Sequence, residues 1–513
     1  MSCHVIGIGG TGNKCLEAVL HCCAAGLGPA DANIAIVDQD RANGNVFRLR
    51  RVLDVYRRLY RDLHSAGSSL GDSPLFGTQI KAPDDPVWSP LPDLQVTLEA
   101  HFNRAGLTQE AQLLFDALFE EERERAQPLD EGFRGRPVVG AAAMYSAAAE
   151  GEGFWSELFQ DLQVEGDDPI RIVVLASIFG GTGAAGFPSI ARLIRKHAQR
   201  HEVPVEIGGI LLLPYFKFPE PAKATGEHLT RADDFLHTTQ QALLYYHDLL
   251  RARPGLFNHL YVVGAARPFT LPNLGPGSNR QENEALLPEL IAALAALHFL
   301  RNGATADASV MLRAGHKAEE GPDAPLAVEW NDIPTVRANA ETHDARDALG
   351  TLLRFAVAFQ SFYKPLLIKR APPADIARQT WFYRLISRPG IQLHDDSVQG
   401  TLTALDGYCD LFVSWCRDLS RTRHSDDLRV KLFAFDAAAS GEHHGKQAKR
   451  ALNGSAALFD HVVGVPHARR LPDMFYSLSA ERIERSRSGL GVFVDQLFRS
   501  CRLEGQKFSS WRE

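Results

Sequence analysis

Two glycine-rich stretches, each placed directly after a run of apolar residues, constrain the fold of this chain more than any other feature. The first is GIGGTG at residues 7–12, and the second is GGTGAAG at residues 180–186. A short, continuous apolar run is typical of a strand buried on both faces of a parallel sheet. Helix-forming residues follow each stretch, so each predicts a strand, a glycine turn and a helix. Backbone N–H groups and a helix N-terminus then meet at one point, which suits a phosphate group.

A third apolar run, NIAIV at residues 33–37, follows the first helix and ends at Asp38. Together these elements predict a βαβ unit that opens an α/β fold with a doubly wound, mostly parallel sheet. Both glycine stretches then open at the carboxyl edge of that sheet, where they can face one ligand. Further strands are predicted at 136–140, 170–178, 203–213 and 259–263, and helices at 13–25, 187–201, 230–250, 283–300, 343–366 and 400–420.

The length of 513 residues exceeds what one ordinary core accommodates, so more than one domain is expected. The pattern predicts a nucleotide-binding domain over residues 1–300 that ends in a long buried helix. A polar linker at 301–325 separates it from a helix-rich α+β domain at 326–513.

The composition argues against several classes of protein. The formal net charge of -7 argues against a generally basic surface for nucleic acid. The seven cysteines are odd in number and form no CxxC pair, which argues against a disulfide framework or a zinc ribbon. No apolar stretch approaches the roughly 20 residues of a membrane helix, and no signal peptide is evident. We therefore expect a cytoplasmic protein without a membrane span.

In its motifs the chain resembles the tubulin/FtsZ superfamily of GTPases, and within it the divergent bacterial tubulin-like proteins. GGTGAAG is similar to the tubulin signature GGGTGTG or GGGTGSG, and GIGGTGN is similar to the GxGGxGGN opening of FtsZ. The order of the later elements also agrees over residues 1–300. The resemblance implies a tubulin-like domain that binds GTP or GDP with Mg²⁺, hydrolyses GTP to GDP and phosphate, and assembles into homo-oligomers or filaments in a nucleotide-dependent way.

The resemblance also implies which residues hold the phosphates. Those of the first loop, for the α- and β-phosphates, are Gly9, Gly10, Thr11, Gly12 and Asn13. Those of the second loop, for the β- and γ-phosphates, are Gly180, Gly181, Thr182, Gly183 and Ala184.

Further contacts are implied outside these two loops. Asp38 and Asp40 would lie near the γ-phosphate or its Mg²⁺, and Gly140 with Ala141 would form a third phosphate loop. Glu220 would hold the ribose. Either Asn283, at the start of the buried helix, or its neighbour Glu282 would read the guanine edge.

The sequence departs from the family pattern at four points. The asparagine that follows the sixth strand in FtsZ is absent, and this chain has GAA there. Phe179 stands where the signature has its first glycine, and Ala184 replaces Thr or Ser. In the family, an NxDFAD motif follows the buried helix, and a carboxylate of this motif reaches the nucleotide of the next subunit. This chain has no such motif there. The nearest match is WNDIPTV at residues 330–336, which makes Asp332 the candidate catalytic residue. Nucleotide binding is therefore supported by more of the sequence than hydrolysis or assembly.

A second resemblance competes for the first 50 residues. GIGGTG followed by VDQDRANGNVFR is similar to the ATP-dependent adenylating enzymes of the ubiquitin-activating type, with Asp38, Asp40, Asn45 and Arg48 in their acidic, Asn and Arg positions. That resemblance leaves GGTGAAG unexplained. Two further alternatives remain open: another dinucleotide-fold enzyme, with Asp38 on a ribose hydroxyl, and a scaffold that keeps the fold without a nucleotide.

Overall fold

The structure is a computed structural model of the chain. The residues that it describes are 2–65, 70–91, 97–120, 122–126, 129, 133, 137–146, 154–162, 168–217, 232–265, 268–271, 283–304, 317–318, 326–338, 341–368, 374–421, 428–433, 435, 478 and 489–502.

The chain divides into two compact units. Unit 1 comprises residues 1–16, 33–49 and 82–283, and unit 2 comprises residues 17–32, 50–81 and 284–513. The chain thus enters unit 2 more than once, and it enters it for the last time directly after Asn283. The division predicted at residues 301–325 stays a prediction, since only part of that stretch lies among the described residues.

A mostly parallel sheet forms the centre of this α/β protein. Its strands are β1 (Cys3–Ile8), β2 (Asp31–Val37), β3 (Gln79–Lys81), β4 (Val87–Trp88), β5 (Ile170–Ser177), β6 (Val205–Leu212) and β8 (His259–Val263). They lie in the order β3-β2-β1-β5-β6-β8, and β4 pairs with β2 beside that path. The pairs β1–β2, β1–β5, β5–β6, β6–β8 and β2–β4 are parallel.

The continuous apolar runs account for the inner strands of this sheet. Every residue of β1 is buried, and β5 and β6 are buried over most of their length. The predicted strands at 33–37, 170–178, 203–213 and 259–263 are confirmed. Smaller sheets are formed by β7 (Phe216–Lys217) with β9 (Phe269–Thr270), by β10 (Lys317–Ala318), β11 (Leu326–Val328) and β14 (Leu428–Val430), and by β12 (Val336–Ala338) with β13 (Glu341–His343).

Helices connect and surround these strands. In unit 1, or shared between the units, are α1 (Gly9–Ala24), α2 (Gly44–His64), α3 (Leu98–His101), α4 (Gln109–Leu118), α5 (Glu122–Arg125), α6 (Pro137–Ser146), α7 (Phe154–Asp161), α8 (Gly181–Arg200) and α9 (Ala232–Ala252). Unit 2 contains α10 (Leu287–Asn302), α11 (Ala345–Ala358), α12 (Lys364–Leu367), α13 (Ala374–Ala377), α14 (Thr380–Phe382), α15 (Asp396–Arg421) and α16 (Leu490–Ser500). Among the described residues, no helix is long and apolar enough to cross a membrane.

The prediction of a strand at residues 136–140 is wrong, because this stretch enters helix α6 at Pro137. Four or five apolar residues do not by themselves distinguish a buried strand from a buried helix. The signals that decide are the proline, which is favoured at the first helical position, and the alanine-rich residues that follow. Gly140 and Ala141 therefore lie in a helix, not in the predicted loop.

The two helices that follow the glycine stretches begin earlier than predicted, within the stretches themselves. Helix α1 begins at Gly9 instead of residue 13, and α8 begins at Gly181 instead of residue 187. Close packing on the sheet explains the glycines in these first turns. A Cβ on Gly12 would lie 2.5 Å from the carbonyl oxygen of Leu175, and one on Gly183 would lie 2.9 Å from that of Ser177. Glycine thus lets each helix start directly against β5.

The earlier start of α8 places Pro188 inside the helix, not in its first turn. A proline has no N–H, so the carbonyl of Ala184, four residues earlier, loses its helical hydrogen bond. The hydroxyl of Tyr246 in α9 donates to that carbonyl oxygen at 2.6 Å. Tyr246 is buried, and this burial raises the pKa of its phenol. The side chain of Tyr246 therefore replaces the hydrogen bond that Pro188 removes.

We predict that Tyr246→Phe lowers the free energy of unfolding by about 1–2 kcal/mol, because it leaves a buried carbonyl without a donor. In a Pro188→Ala background the new N–H can bond Ala184, so the same change should cost less. Urea denaturation of the wild type, both single variants and the double variant measures this coupling. Equal costs in the two backgrounds would show that Tyr246 does not compensate for Pro188.

Candidate functional site

The candidate site lies at the carboxyl edge of the central sheet, in unit 1. The strand order changes direction at β1, since β2 lies on one side of it and β5 on the other. In open parallel sheets, ligands bind at such a point, outside the carboxyl ends of the strands. The first glycine stretch follows β1 there and the second follows β5.

The two glycine stretches are in direct contact. Gly9 has a φ of +69°, in the left-handed region that favours glycine. A Cβ on Gly9 would lie 3.2 Å from the backbone nitrogen of Gly183 and 3.4 Å from the Cβ of Thr182. The turn into α1 therefore lies against the first turn of α8. Only a residue without a side chain permits this approach.

A third helix begins at the same place. The carboxamide oxygen of Asn43 accepts the N–H of Asn45 at 2.9 Å and so caps the start of α2. A Cβ on Gly10 would lie 3.5 Å from Nδ2 of Asn45 and 3.9 Å from Nδ2 of Asn43. The N-terminus of α2 thus adjoins the first glycine stretch at Gly10, next to the contact that Gly9 makes with α8.

Three helix N-termini therefore converge on Gly9 and Gly10. Each helix terminus carries roughly half a positive elementary charge. An acidic side chain in the first turn usually offsets this charge, yet α1, α2 and α8 have none there. Gly180, which precedes α8, has no side chain with which to cap it. Gly10, Thr11 and Gly180 are partly exposed, so solvent reaches this positive region.

Asp38 and Asn13 form a buried polar pair next to this region. Nδ2 of Asn13 donates to Oδ2 of Asp38 at 2.9 Å, and both side chains are almost fully buried. Burial, together with the charge of Asp40, raises the pKa of Asp38 to about 8. Oδ1 of Asn13 has no hydrogen-bond partner in the part of the chain that the structure describes. A buried acceptor without a donor is costly, so this oxygen is suited to a donor from a ligand.

Asp40 takes part in the turn that follows β2. Its N–H donates to Oδ1 of Asp38 at 3.2 Å, and its own Oδ1 accepts the N–H of Ala42 at 3.2 Å. Gln39 supports the same turn through two hydrogen bonds to Leu91. Its Nε2 donates to the carbonyl oxygen of Leu91, and its Oε1 accepts the N–H of Leu91. The two carboxylates are thus held side by side at the end of β2. Among the described residues, no group of three or more His, Cys, Asp or Glu side chains is placed to hold a metal ion.

The site residues that were predicted outside the two glycine stretches and the end of β2 are Gly140, Ala141, Asn283, Glu220 and Glu282. A Cβ on Gly140 would lie 2.8 Å from Cβ of Ala185 and 2.9 Å from the carbonyl oxygen of Gly181, so Gly140 brings α6 close to the start of α8. Ala141 follows it in α6. Asn283 lies four residues before the start of α10, not at the helix start, and its N–H donates to Oδ1 of Asn45 at 3.1 Å. Glu220 and Glu282 lie outside the described residues.

Asp332 belongs to unit 2, in the short 3₁₀ helix Trp330–Asp332. Its carboxylate accepts the N–H of Glu329 at 2.9 Å and so caps that turn. The side chain of Asp332 therefore stabilises the start of this short helix. Its predicted catalytic role stays a prediction.

The two departures from the signature motif have structural roles. Phe179 is buried, and its ring lies edge-on to Phe216 with centroids 5.5 Å apart. An aromatic anchor thus replaces the first glycine of the motif and fixes the end of β5 to the segment after β6. Ala184 is also buried, and its carbonyl is the acceptor of the Tyr246 hydroxyl.

The prediction for the tubulin-like site missed Asn43 and considered Asn45 only for the adenylating alternative. The signal was present in the sequence: Asn-Gly-Asn three residues after the second aspartate is a helix-capping pattern. The contact between Asn45 and Asn283 joins residues 238 positions apart, and no local pattern announces it.

The sequence matches no protein-family model, and a search of curated proteins finds no match.

We predict that the stability of Asp38→Asn relative to the wild type increases from pH 4 to pH 8. Between the ordinary pKa of 3.8 and the folded pKa of about 8, the folded state keeps a proton that the unfolded state has released. The free energy of unfolding of the wild type therefore falls as pH rises, with a slope of at most about 1.4 kcal/mol per pH unit from this group. Asparagine does not titrate, and its carbonyl still accepts from Asn13.

Chemical denaturation of both proteins at several pH values checks this difference in slope. Parallel curves for the two proteins between pH 4 and pH 8 would mean that Asp38 ionises normally in the folded state.

Proposed function

We propose that unit 1 binds a purine nucleoside di- or triphosphate, with its phosphates between the two glycine stretches, and that the nucleotide is a guanine nucleotide. The observation that carries this proposal is the contact between Gly9 and the first turn of α8. Because of it, the backbone donors of both stretches face one region instead of two separate ones. A chain of phosphates extends over more of the donors at three helix N-termini than a single phosphate does.

The residues fit a nucleotide with Mg²⁺ in their chemistry. The N–H groups at the starts of α1 and α8 would hold phosphate oxygens, and the hydroxyl of Thr182 would add a donor. Asp38 and Asp40 would face the metal, which supplies positive charge to the phosphates. Ionisation of Asp38 is favoured beside a cation, so metal binding would release its proton. Oδ1 of Asn13 would then accept a donor, such as a metal-bound water.

The choice of guanine rests on the resemblance to the tubulin/FtsZ superfamily, which accounts for both glycine stretches. A tubulin-like doubly wound domain that hydrolyses GTP and assembles is the finer form of this proposal. A mostly parallel sheet with its strands in the order β3-β2-β1-β5-β6-β8 supports it.

One observation favours the alternative of ATP-dependent adenylation. Asn45, which belongs to the motif of the adenylating enzymes, lies beside Gly10 as a ligand-binding side chain would. That alternative gives no role to GGTGAAG, although this stretch lies against Gly9. Titration with GTP and ATP analogues distinguishes the two: preference for guanine supports the tubulin-like site, and preference for adenine supports adenylation.

We predict that Gly10→Asp strongly weakens nucleotide binding while the protein stays folded. A Cβ on Gly10 meets only ordinary van der Waals contacts, and an acid in the first turn of a helix stabilises it by about 0.3–1 kcal/mol. The same negative charge repels phosphates, so the Kd for GTP should rise roughly a hundredfold more than in the isosteric variant Gly10→Asn.

The two variants separate charge from bulk, because aspartate and asparagine have nearly the same shape. Fluorescent-nucleotide titration gives the Kd, and thermal unfolding confirms that both variants fold. Equal affinities of Gly10→Asp and Gly10→Asn for GTP would contradict a phosphate position beside Gly10.

A further inference from the structure

Strand β8 forms one edge of the central sheet, beside β6, and within the described part of the chain no strand pairs with its outer side. Its sequence is HLYVV, which contains aromatic and β-branched residues but no lysine, acid or proline. Natural edge strands usually carry such polar residues or are very short, which prevents pairing with another chain. The opposite edge strand, β3, has three residues and exposes Lys81. β8 thus lacks the protection that β3 has.

The backbone of β8 offers hydrogen-bonding groups to its outer side. The carbonyl oxygen of Val263 accepts the N–H of Leu213, which follows β6, at 2.8 Å. Val263 therefore directs its backbone polar groups toward β6. These groups alternate in direction along a strand, so Tyr261 also faces β6, whereas the N–H and C=O groups of Leu260 and Val262 point to the outer side.

The side chains of Leu260 and Val262 form an exposed apolar strip, since they are 38% and 52% exposed. Leu260 lies in register with Gly209 of β6, and a Cβ on Gly209 would lie 2.7 Å from Cζ of Phe187 in α8. The strip therefore lies on the face of the sheet that α8 covers. Helix α9 lies on the same face, because the rings of Tyr246 and Phe187 are in contact, with centroids 6.0 Å apart.

Helix α9 adds exposed apolar side chains to this face, namely Leu243, Leu244 and Tyr245. Eleven large apolar side chains are exposed among the described residues, and five of them belong to α9 and β8, so exposed apolar surface is concentrated in this last crossover of the sheet. Surface of this kind marks interaction sites. The exposed charges that follow on α9 are of opposite sign, on Asp248 and Arg251, so they do not form a block that repels a second copy.

A second copy of the chain fits this edge when a two-fold axis passes through Tyr261, perpendicular to the sheet. The two β8 strands are then antiparallel, and Leu260 of each copy lies opposite Val262 of the other. Their outward backbone groups pair, and their apolar side chains pack across the axis on one face. A strand of about 17 Å covers less than the roughly 800 Å² that a stable interface buries on each partner, so the α9 helices on that face must contribute.

We propose that the chain forms a closed homodimer in which the β8 edges of two copies pair and continue the central sheet across a two-fold axis. Such a contact uses the same surface on both copies, so assembly stops at the dimer. It does not involve the glycine stretches and needs no nucleotide. It therefore differs from the nucleotide-dependent assembly that the family resemblance implies.

Sedimentation velocity of the full chain, without nucleotide or Mg²⁺ and over roughly 1–100 μM, measures this association. We expect a species of twice the 56.5 kDa mass of the chain. Val262→Lys places an ammonium group in the apolar strip and should raise the Kd of the dimer on the order of a hundredfold. Leu114→Lys on α4 is the matched control, because it adds the same charge at another exposed apolar position, and it should leave the Kd unchanged. Thermal unfolding confirms that both variants fold.

Tyr261→Cys tests the register of the two strands. In the antiparallel pair, residue 261 lies opposite itself in a non-hydrogen-bonded pair, with Cα atoms about 4.5 Å apart, which a disulfide can span. The seven native cysteines are buried, so they should not cross-link two copies. Non-reducing electrophoresis after mild oxidation should show a covalent dimer for Tyr261→Cys and none for Leu114→Cys.

Three results would overturn the proposal. The first is a wild type that stays monomeric up to the highest concentration, and the second is a Val262→Lys variant that dimerises as tightly as the wild type. The third is a dimer in which Tyr261→Cys, although folded, does not cross-link, because the contact between the copies would then lie elsewhere.

Discussion

The approach of Gly9 to the first turn of α8 is the contact on which the candidate site depends. It joins the ends of β1 and β5, and no side chain larger than hydrogen fits between the two backbones. The same requirement recurs beside it, because Gly12 lies against the carbonyl of Leu175 and Gly183 against that of Ser177. The glycines therefore serve packing: they bring helix N-termini onto the edge of the sheet, where Gly10, Thr11 and Gly180 stay partly exposed.

Positive partial charge from helix termini gathers at this edge of the sheet. Three helix N-termini meet without an acidic residue in any first turn. The nearby carboxyl of Asp38 does not offset them fully, because burial and Asp40 raise its pKa to about 8 and keep it largely protonated at neutral pH. An anionic ligand with a cation would satisfy both features, since phosphates complement the helix termini and a cation favours the ionised form of Asp38.

The sequence predicted the sheet well because its inner strands are buried on both faces and appear as continuous apolar runs, as in β1 and β5. Helix starts were less predictable, since glycine is a poor helix former and the first turns of α1 and α8 are stabilised by packing on the sheet. The strand predicted at 136–140 failed because a short apolar run fits both structures. Long-range bonds, such as Tyr246 to Ala184 and Asn283 to Asn45, depend on the tertiary fold and have no local signal.

Amide hydrogen exchange with and without saturating GTP and Mg²⁺ shows whether the two glycine stretches share one ligand. We expect the amides of residues 9–13 and of residues 180–184 to become protected together, since both stretches would contact that ligand. Protection of only one stretch, or of neither while nucleotide is bound, would contradict a shared phosphate site.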